Sequence, residues 1–163
     1  MNPPIAIVGA GEAGLTLARL LEINKIDYIV FEQKASSDNV GFWGTLDMHP
    51  DTAQVVLKEA GLFDKFKNVA RFDTQTSAIF DHHGEIITRS DIDDLPQIDW
   101  LDLRTLLVES IPQEKIRWNS QVESLEEHAA GNVSIRLADG AVERGFRLVV
   151  GADGTWSKVR QLV

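Results

Sequence analysis

No cysteine occurs among the 163 residues. That excludes a disulfide framework, a thiolate metal site and a cysteine nucleophile. No apolar run approaches the ~20 residues that a membrane-spanning helix needs. The first apolar strand begins near the fourth residue, which leaves no room for a cleavable leader. A cytoplasmic protein without a membrane partner is the expectation. Positive charge is scarce: 16 Lys and Arg stand against 25 Asp and Glu, for a formal net charge of −9. Nucleic-acid binding rests on phosphate neutralisation, and no basic stripe is present to supply it, so nucleic acid is not an expected partner. The acidity reads as a source of solubility. Internal repeats and low-complexity segments are also missing. Serines and histidines do not fall in a triad order. His82 and His83 are neighbours in an expected turn, and on a strand they would face opposite ways. No carboxylate–histidine spacing supports a metal site there. No side chain reads as a general acid or base, so no catalytic residue is assigned.

What is present is concentrated at the start. Residues 5–8 are apolar and mostly β-branched, and read as a buried strand. Gly9, Gly11 and Gly14 follow in the order Gly-x-Gly-x-x-Gly. Leu15, Leu17, Ala18, Leu20 and Leu21 then recur at helical spacing. Strand, glycine turn and helix within one span are the context that the dinucleotide fingerprint requires. Gly9 lets the chain leave the strand sharply, Gly11 lets a pyrophosphate approach the backbone, and Gly14 lets the helix pack close to the sheet. The helix start offers N–H groups and the positive end of its dipole to phosphates. No lysine is needed in such a turn, and none is there. A second β-rich run, residues 27–32, ends in Glu32, 18 residues after Gly14. A carboxylate at that strand end accepts hydrogen bonds from ribose hydroxyls, at an expected spacing of about 20 residues. The competing reading is a tight βα turn with a surface glutamate.

The remainder completes an α/β pattern. Residues 33–42 read as a loop and 43–49 as a short extended segment. Pro50-Asp51 reads as a helix start and Gly61 as that helix's end. Residues 77–80 and 85–88 form an expected hairpin around Asp81-His-His-Gly84, followed by an acidic loop over 91–94. A helix is expected over 101–111, stopped by Pro112. Residues 115–118 read as a short strand. Residues 121–128, 132–138 and 141–146 read as a three-stranded meander, with Asp139-Gly140 as a hairpin turn. A buried strand, 147–151, leads into Asp153-Gly154 and the start of a helix from Thr155. The fold class expected is α/β: a Rossmann-like parallel sheet with a small antiparallel meander on one face. Asp153 and Gly154 would lie at the carboxyl end of that sheet, where open α/β folds bind ligands. The alternative there is a plain Asp-Gly turn. Arg104, near a helix start, is badly placed for a cation unless an anion compensates it. Its alternative is an exposed pair with Asp102 or Asp99. Asp47 alternates with apolar neighbours and reads, by itself, as an outward strand residue.

Three stretches together resemble the flavoprotein hydroxylases of the para-hydroxybenzoate hydroxylase type. They are the glycine turn with Glu32, Asp102-Leu-Arg104-Thr-Leu-Leu-Val, and Val149-Val-Gly-Ala-Asp153-Gly154-x-x-Ser157-x-x-Arg160. Within that family the chain is similar to the tetracycline-inactivating flavin monooxygenases, where Gly44-Thr-Leu-Asp47-Met-His49 also finds a counterpart. The resemblance implies an FAD/NAD(P)-binding fold, FAD and NAD(P)H as cofactors, and hydroxylation of a small organic substrate, aromatic or polyketide-like. It implies cofactor contacts at Gly9, Gly11, Gly14, Glu32, Asp47, Arg104, Asp153 and Gly154. An FAD-dependent reductase or halogenase on the same scaffold, or a remnant that binds without turning over, are the alternatives. At the position where the tetracycline-inactivating relatives carry an arginine directed at the nicotinamide, this chain has Val40. The family's third cofactor motif and its substrate-covering sheet find no counterpart. Residues 1–163 are therefore expected to be the amino-terminal part of an FAD/NAD(P)-binding domain, with an apolar patch left exposed. No motif sets an oligomeric state.

Overall fold

The computed structural model describes residues 2–37, 44–73, 75–92, 94–128 and 133–162. In chain order its elements are β1 (Ile5–Val8), α1 (Glu12–Ile23), β2 (Tyr28–Phe31), β3 (Thr45–Asp47), α2 (Ala53–Glu59), α3 (Phe63–Val69), β4 (Gln75–Phe80), β5 (Ile86–Ile92), β6 (Gln97–Asp99), α4 (Trp100–Val108), β7 (Ile116–Arg117), β8 (Val122–Glu127), β9 (Val133–Leu137), β10 (Val142–Phe146) and β11 (Leu148–Gly151). They divide into two compact units. The first joins Met1–Gly41 to Arg104–Val163, and the second is Phe42–Leu103.

The first unit is built on a parallel sheet in the order β11-β1-β2-β7. All four residues of β1 are buried, as a parallel strand covered on both faces requires. Successive side chains alternate between the faces. Ala6 and Val8 of β1, with Ile29 and Phe31 of β2, belong to a cluster completed by Val122, Leu125, Ile135, Leu137 and Phe146. Those partners come from the antiparallel meander β10-β9-β8, which therefore packs on this face. Phe31 and Phe146 meet edge to face with ring centroids 5.8 Å apart, a geometry that the ring quadrupoles favour. Helix α1 packs against β1 and β2. It buries Gly14, Leu15, Ala18 and Leu21, one stripe at helical spacing.

β1 pairs with β2 on one side and β11 on the other, in register from Ile5↔Tyr28 and Ile5↔Leu148 to Val8↔Phe31 and Val8↔Gly151. The carboxyl ends of all three strands thus finish level. The chain leaves β1 through α1 toward β2, and returns to its other side only at β11. This reversal of strand order is where an open α/β sheet leaves a crevice.

The second unit holds the antiparallel pair β3–β6 and the hairpin β4–β5. Helices α2 and α3 pack on each other. Phe66 is fully buried, with Phe63 and Phe72 against it. The hairpin leaves Ile79, Phe80, Ile86 and Ile87 exposed.

Several expectations are corrected at this level. Gly14 lies inside α1, which begins at Glu12. α2 begins at Ala53, after a turn through Pro50 and Asp51. β5 runs on through Asp91, where an acidic loop was expected, because each added residue pairs across to β4 as far as Gln75↔Ile92. α3 and β6 were not anticipated. The segment after Gly154 turns and forms only a short 3-10 helix, Val159–Leu162. The turn expected at His82 and His83 is present, with their ring centroids 3.8 Å apart.

Candidate functional site

The glycine turn is shaped by two close approaches and one open space. Gly9 has φ +104, and a Cβ on it would stand 2.3 Å from the Ala152 carbonyl oxygen. A Cβ on Gly14 would stand 2.0 Å from the Gly9 carbonyl oxygen. Around Gly11, by contrast, a Cβ would meet nothing within 4 Å. Gly11 is the N-cap of α1 in extended conformation, with no side-chain hydrogen bond capping the helix. The first N–H groups of a helix have no intrahelical acceptor. At this N-cap a Cβ would enter space that the described residues leave unfilled.

Glu32 is buried at 6% exposure. Its Oε2 accepts the Ala10 N–H at 2.7 Å and its Oε1 accepts the Lys34 N–H at 2.9 Å. The carboxylate thus turns toward the glycine turn and secures one of its amides. Each carboxylate oxygen keeps further acceptor capacity. Arg104 is 2% exposed. It lies in the middle of α4, not near its start, and its Nη1 donates to the Ala10 carbonyl oxygen. The surface ion pair is overturned: Asp99 pairs with Arg71 at 2.9 Å.

Asp153 and Gly154 directly follow β11 and cross the glycine turn. The Ala152 N–H donates to the Val8 carbonyl at 2.7 Å, and the Asp153 Cα lies 3.0 Å from the position of a Gly9 Cβ. Asp153 Oδ2 accepts the Lys158 N–H at 2.7 Å. Its Oδ1 is shielded from solvent and accepts no hydrogen bond among the described residues. Ser157 and Arg160 hold the turn itself: Ser157 Oγ accepts the Arg160 N–H, and Arg160 Nη1 donates to the Thr155 carbonyl.

A cavity of about 420 Å³ opens between these segments, with Gly9, Glu32 and Asp153 among its walls. Gln33, Ser120, Gln121, Trp156 and Lys158 also line it. Sequence reasoning did not select these five. Gln33 is adjacent to Glu32, and Trp156 adjoins the second motif, but nothing local brings Ser120 and Gln121 beside them. They arrive because Ser120 N–H binds the Glu32 carbonyl at 2.7 Å.

The structure thus gathers Gly9, Gly11, Gly14, Glu32, Arg104, Asp153 and Gly154 in the first unit. Asp47 belongs to the second unit, exposed on β3, where its Oδ1 accepts from Gln97 Nε2 at 2.8 Å. Gln97 is its partner across the β3–β6 pair. Val40 and Trp43 lie outside the described residues.

A parallel sheet that opens on bare amides, with a carboxylate at the end of the neighbouring strand, defines a nucleotide-binding unit of the Rossmann type. Residues 3–163 match the family model described as FAD binding domain, and the chain belongs to that family. It is 34% identical to Monooxygenase asqM of Emericella nidulans, over 98% of this chain and 40% of that protein. It is 33% identical to Monooxygenase penA of Penicillium thymicola, over 98% of this chain and 39% of that protein. Among solved structures, tetracycline destructase Tet(51) superposes with a TM-score of 0.72 at 25% identity, over 100% of this chain and 42% of that one. The chain spans about two fifths of the length of the curated relatives it matches.

Proposed function

We propose that this chain is the amino-terminal, FAD-binding part of an NAD(P)H-dependent flavin monooxygenase that hydroxylates a small organic substrate, aromatic or polyketide-like. The observation that carries the proposal is the open space at Gly11, in a turn whose Ala10 N–H is held by the buried carboxylate of Glu32 and whose Gly9 lies against Asp153, with its orphaned Oδ1. A diphosphate suits the first, and hydroxyl donors suit the other two. On this reading, Gly9, Gly11 and Gly14 shape the diphosphate nest and α1 directs its N-terminus at it. Glu32 accepts from the adenosine ribose. Asp153 and Gly154 form the opposite wall. Arg104 secures the nest through the Ala10 carbonyl. FAD, when bound, supplies electron transfer from NAD(P)H and the activation of dioxygen. The residues of this chain bind and orient it and limit the access of water. The named activity of the relatives supports an oxygen-inserting reaction, and the tetracycline named for Tet(51) supports a polycyclic substrate. Cytoplasmic residence belongs to the same proposal, since the pyridine nucleotide is found there.

FAD titration followed by flavin fluorescence tests the binding step, and quenching at saturation is expected. NAD(P)H oxidation coupled to oxygen uptake by the full-length protein in the presence of substrate tests the reaction. Binding without turnover under any donor would instead make the protein a nucleotide-binding remnant. Donor oxidation without a hydroxylated product would favour a reductase.

A further inference from the structure

We infer that the amino-terminal end of the parallel sheet carries a second anion site, a cavity that binds a phosphate dianion between Lys25 and Arg147.

The cavity has a volume of about 390 Å³ and lies wholly within the first unit. In its walls Pro3 leads into β1, Asp27 leads into β2 and Arg147 leads into β11. Those strands start in register, so the cavity lies at the opposite end of the sheet from the glycine turn, a strand length of about 13 Å away. Two backbone bonds tie the three segments together. The Ile5 N–H donates to the Asp27 carbonyl at 2.9 Å, and the Arg147 N–H donates to the Pro4 carbonyl at 3.2 Å.

Lys25 is held in a conformation that its residue type disfavours. Three non-glycine residues among those described have positive φ: Lys25, Asp94 and Asn119. Asp and Asn tolerate that region through local hydrogen bonding, and lysine has no such means. Lys25 adopts φ 56 because it closes α1. Its N–H donates to the Glu22 carbonyl at 3.0 Å, and the Ile26 N–H donates to the Leu21 carbonyl at 3.0 Å. This is the Schellman arrangement, whose left-handed position glycine fills best. The chain therefore keeps a strained lysine where glycine would be relaxed, and strain of this kind marks functional positions.

The surrounding charges select an anion. Lys25 and Arg147 make no ion pair among the described residues, in a protein of formal net charge −9. The one carboxylate in the wall, Asp27, is already paired with Lys115. Bare carbonyls at the end of α1 would repel an anion, but these are occupied. The Leu20 carbonyl accepts from Asn24 Nδ2 at 2.8 Å, and those of Leu21 and Glu22 accept the two bonds just described. Asn2, also in the wall, brings a carboxamide donor. Two cations and a neutral donor match a phosphate dianion, whose oxygens accept charge-assisted hydrogen bonds.

The full-length protein is titrated with inorganic phosphate and, separately, with glycerol 2-phosphate, by calorimetry and by thermal melting at constant ionic strength. Saturable binding that raises the melting temperature is expected. Lys25→Gly and Arg147→Gln should each weaken it by about fivefold, and the double variant should lose it. Without phosphate, Lys25→Gly should melt at or above the parent temperature, because glycine relieves the left-handed strain. Tighter binding of glycerol 2-phosphate would support the site with a phosphomonoester as its ligand, and tighter binding of inorganic phosphate would support it with the free ion. A phosphate response that persists in the double variant belongs elsewhere, the glycine turn included, and overturns the inference. So does a parent protein with no saturable response, or a Lys25→Gly protein that melts well below the parent.

Discussion

Gly9 and Ala152 lie so close that a single added carbon on the first would collide with the carbonyl of the second, at 2.3 Å. The two residues lie 143 positions apart in the sequence. The first glycine of the fingerprint is therefore required by the return of β11 as much as by the turn out of β1. This separates the three glycines by what a substitution would break. Gly9→Ala and Gly14→Ala force backbone apart and should lower the melting temperature markedly or prevent folding. Gly11→Ala, at φ −79 with open surroundings, should cost well under about 1 kcal/mol of stability. It should nonetheless weaken FAD binding strongly. Paired melting curves with and without FAD make the distinction. A Gly11→Ala protein that FAD still stabilises as fully as the parent would contradict the diphosphate placement.

Glu32→Ala leaves the Ala10 and Lys34 N–H groups without their acceptor. A buried donor left unsatisfied costs about 1–3 kcal/mol. Urea unfolding should show a loss of that order even without ligand, and Glu32→Gln, which retains an acceptor oxygen, should lose less. Equal losses in the two variants would mean that the charge, not the acceptor, secures the turn.

Tyr28 is the sole tyrosine of the sequence. Its hydroxyl donates to Glu22 at 3.0 Å. Burial, with the Glu22 hydrogen bond and charge in addition, pushes its ionisation well above the ordinary phenol range. The folded protein thus retains this proton at a pH where the unfolded chain, near its ordinary value of about 10, has released it. The contribution to stability is complete below that value and is lost as pH rises beyond it. Tyrosinate absorbance should appear only with unfolding. Above about pH 10 the melting temperature of the parent should fall more steeply than that of Tyr28→Phe. A reversible titration of Tyr28 in the folded state near its ordinary value would refute the assignment.

The β4–β5 hairpin presents Ile79, Phe80, Ile86 and Ile87 to solvent, each more than half exposed. Trp156, at 89% exposure, adds a second apolar site next to the Asp153 turn. Concentrated apolar surface of this kind promotes association. Ile79→Lys together with Ile87→Glu should reduce light scattering and dye binding of this chain and shift the melting temperature by little. Unchanged scattering would direct attention to Trp156 instead.

The first unit was largely legible from local pattern, because its defining elements carry strong signals. Ile5–Val8 is a continuous apolar strand, the glycines have fixed offsets, and Asp139-Gly140 marks the meander turn. The second unit was less legible. β6 is three residues long and is fixed by its pairing to β3 rather than by β-branched content. The end of β5 is polar and extended because β4 runs beside it. Arg104 illustrates the limit most clearly. A resemblance and a helix position pointed to an anion, but its burial and its bond to Ala10 arise from tertiary approach across 94 positions. Ser120 and Gln121 entered the cavity wall for the same reason.

The pairing of β1 with β11 has a temporal consequence. Val8 and Gly151 are register partners 143 positions apart, so during synthesis β1 must wait for those intervening residues before its second edge is sealed. Long-range strand pairings of this sort are slow to form and leave edges open in the meantime. The nest for the nucleotide therefore matures only once β11 has been made. A nascent chain halted short of β11 would display an apolar strand edge where the finished protein presents a ligand cradle, and it would be a natural client for chaperones.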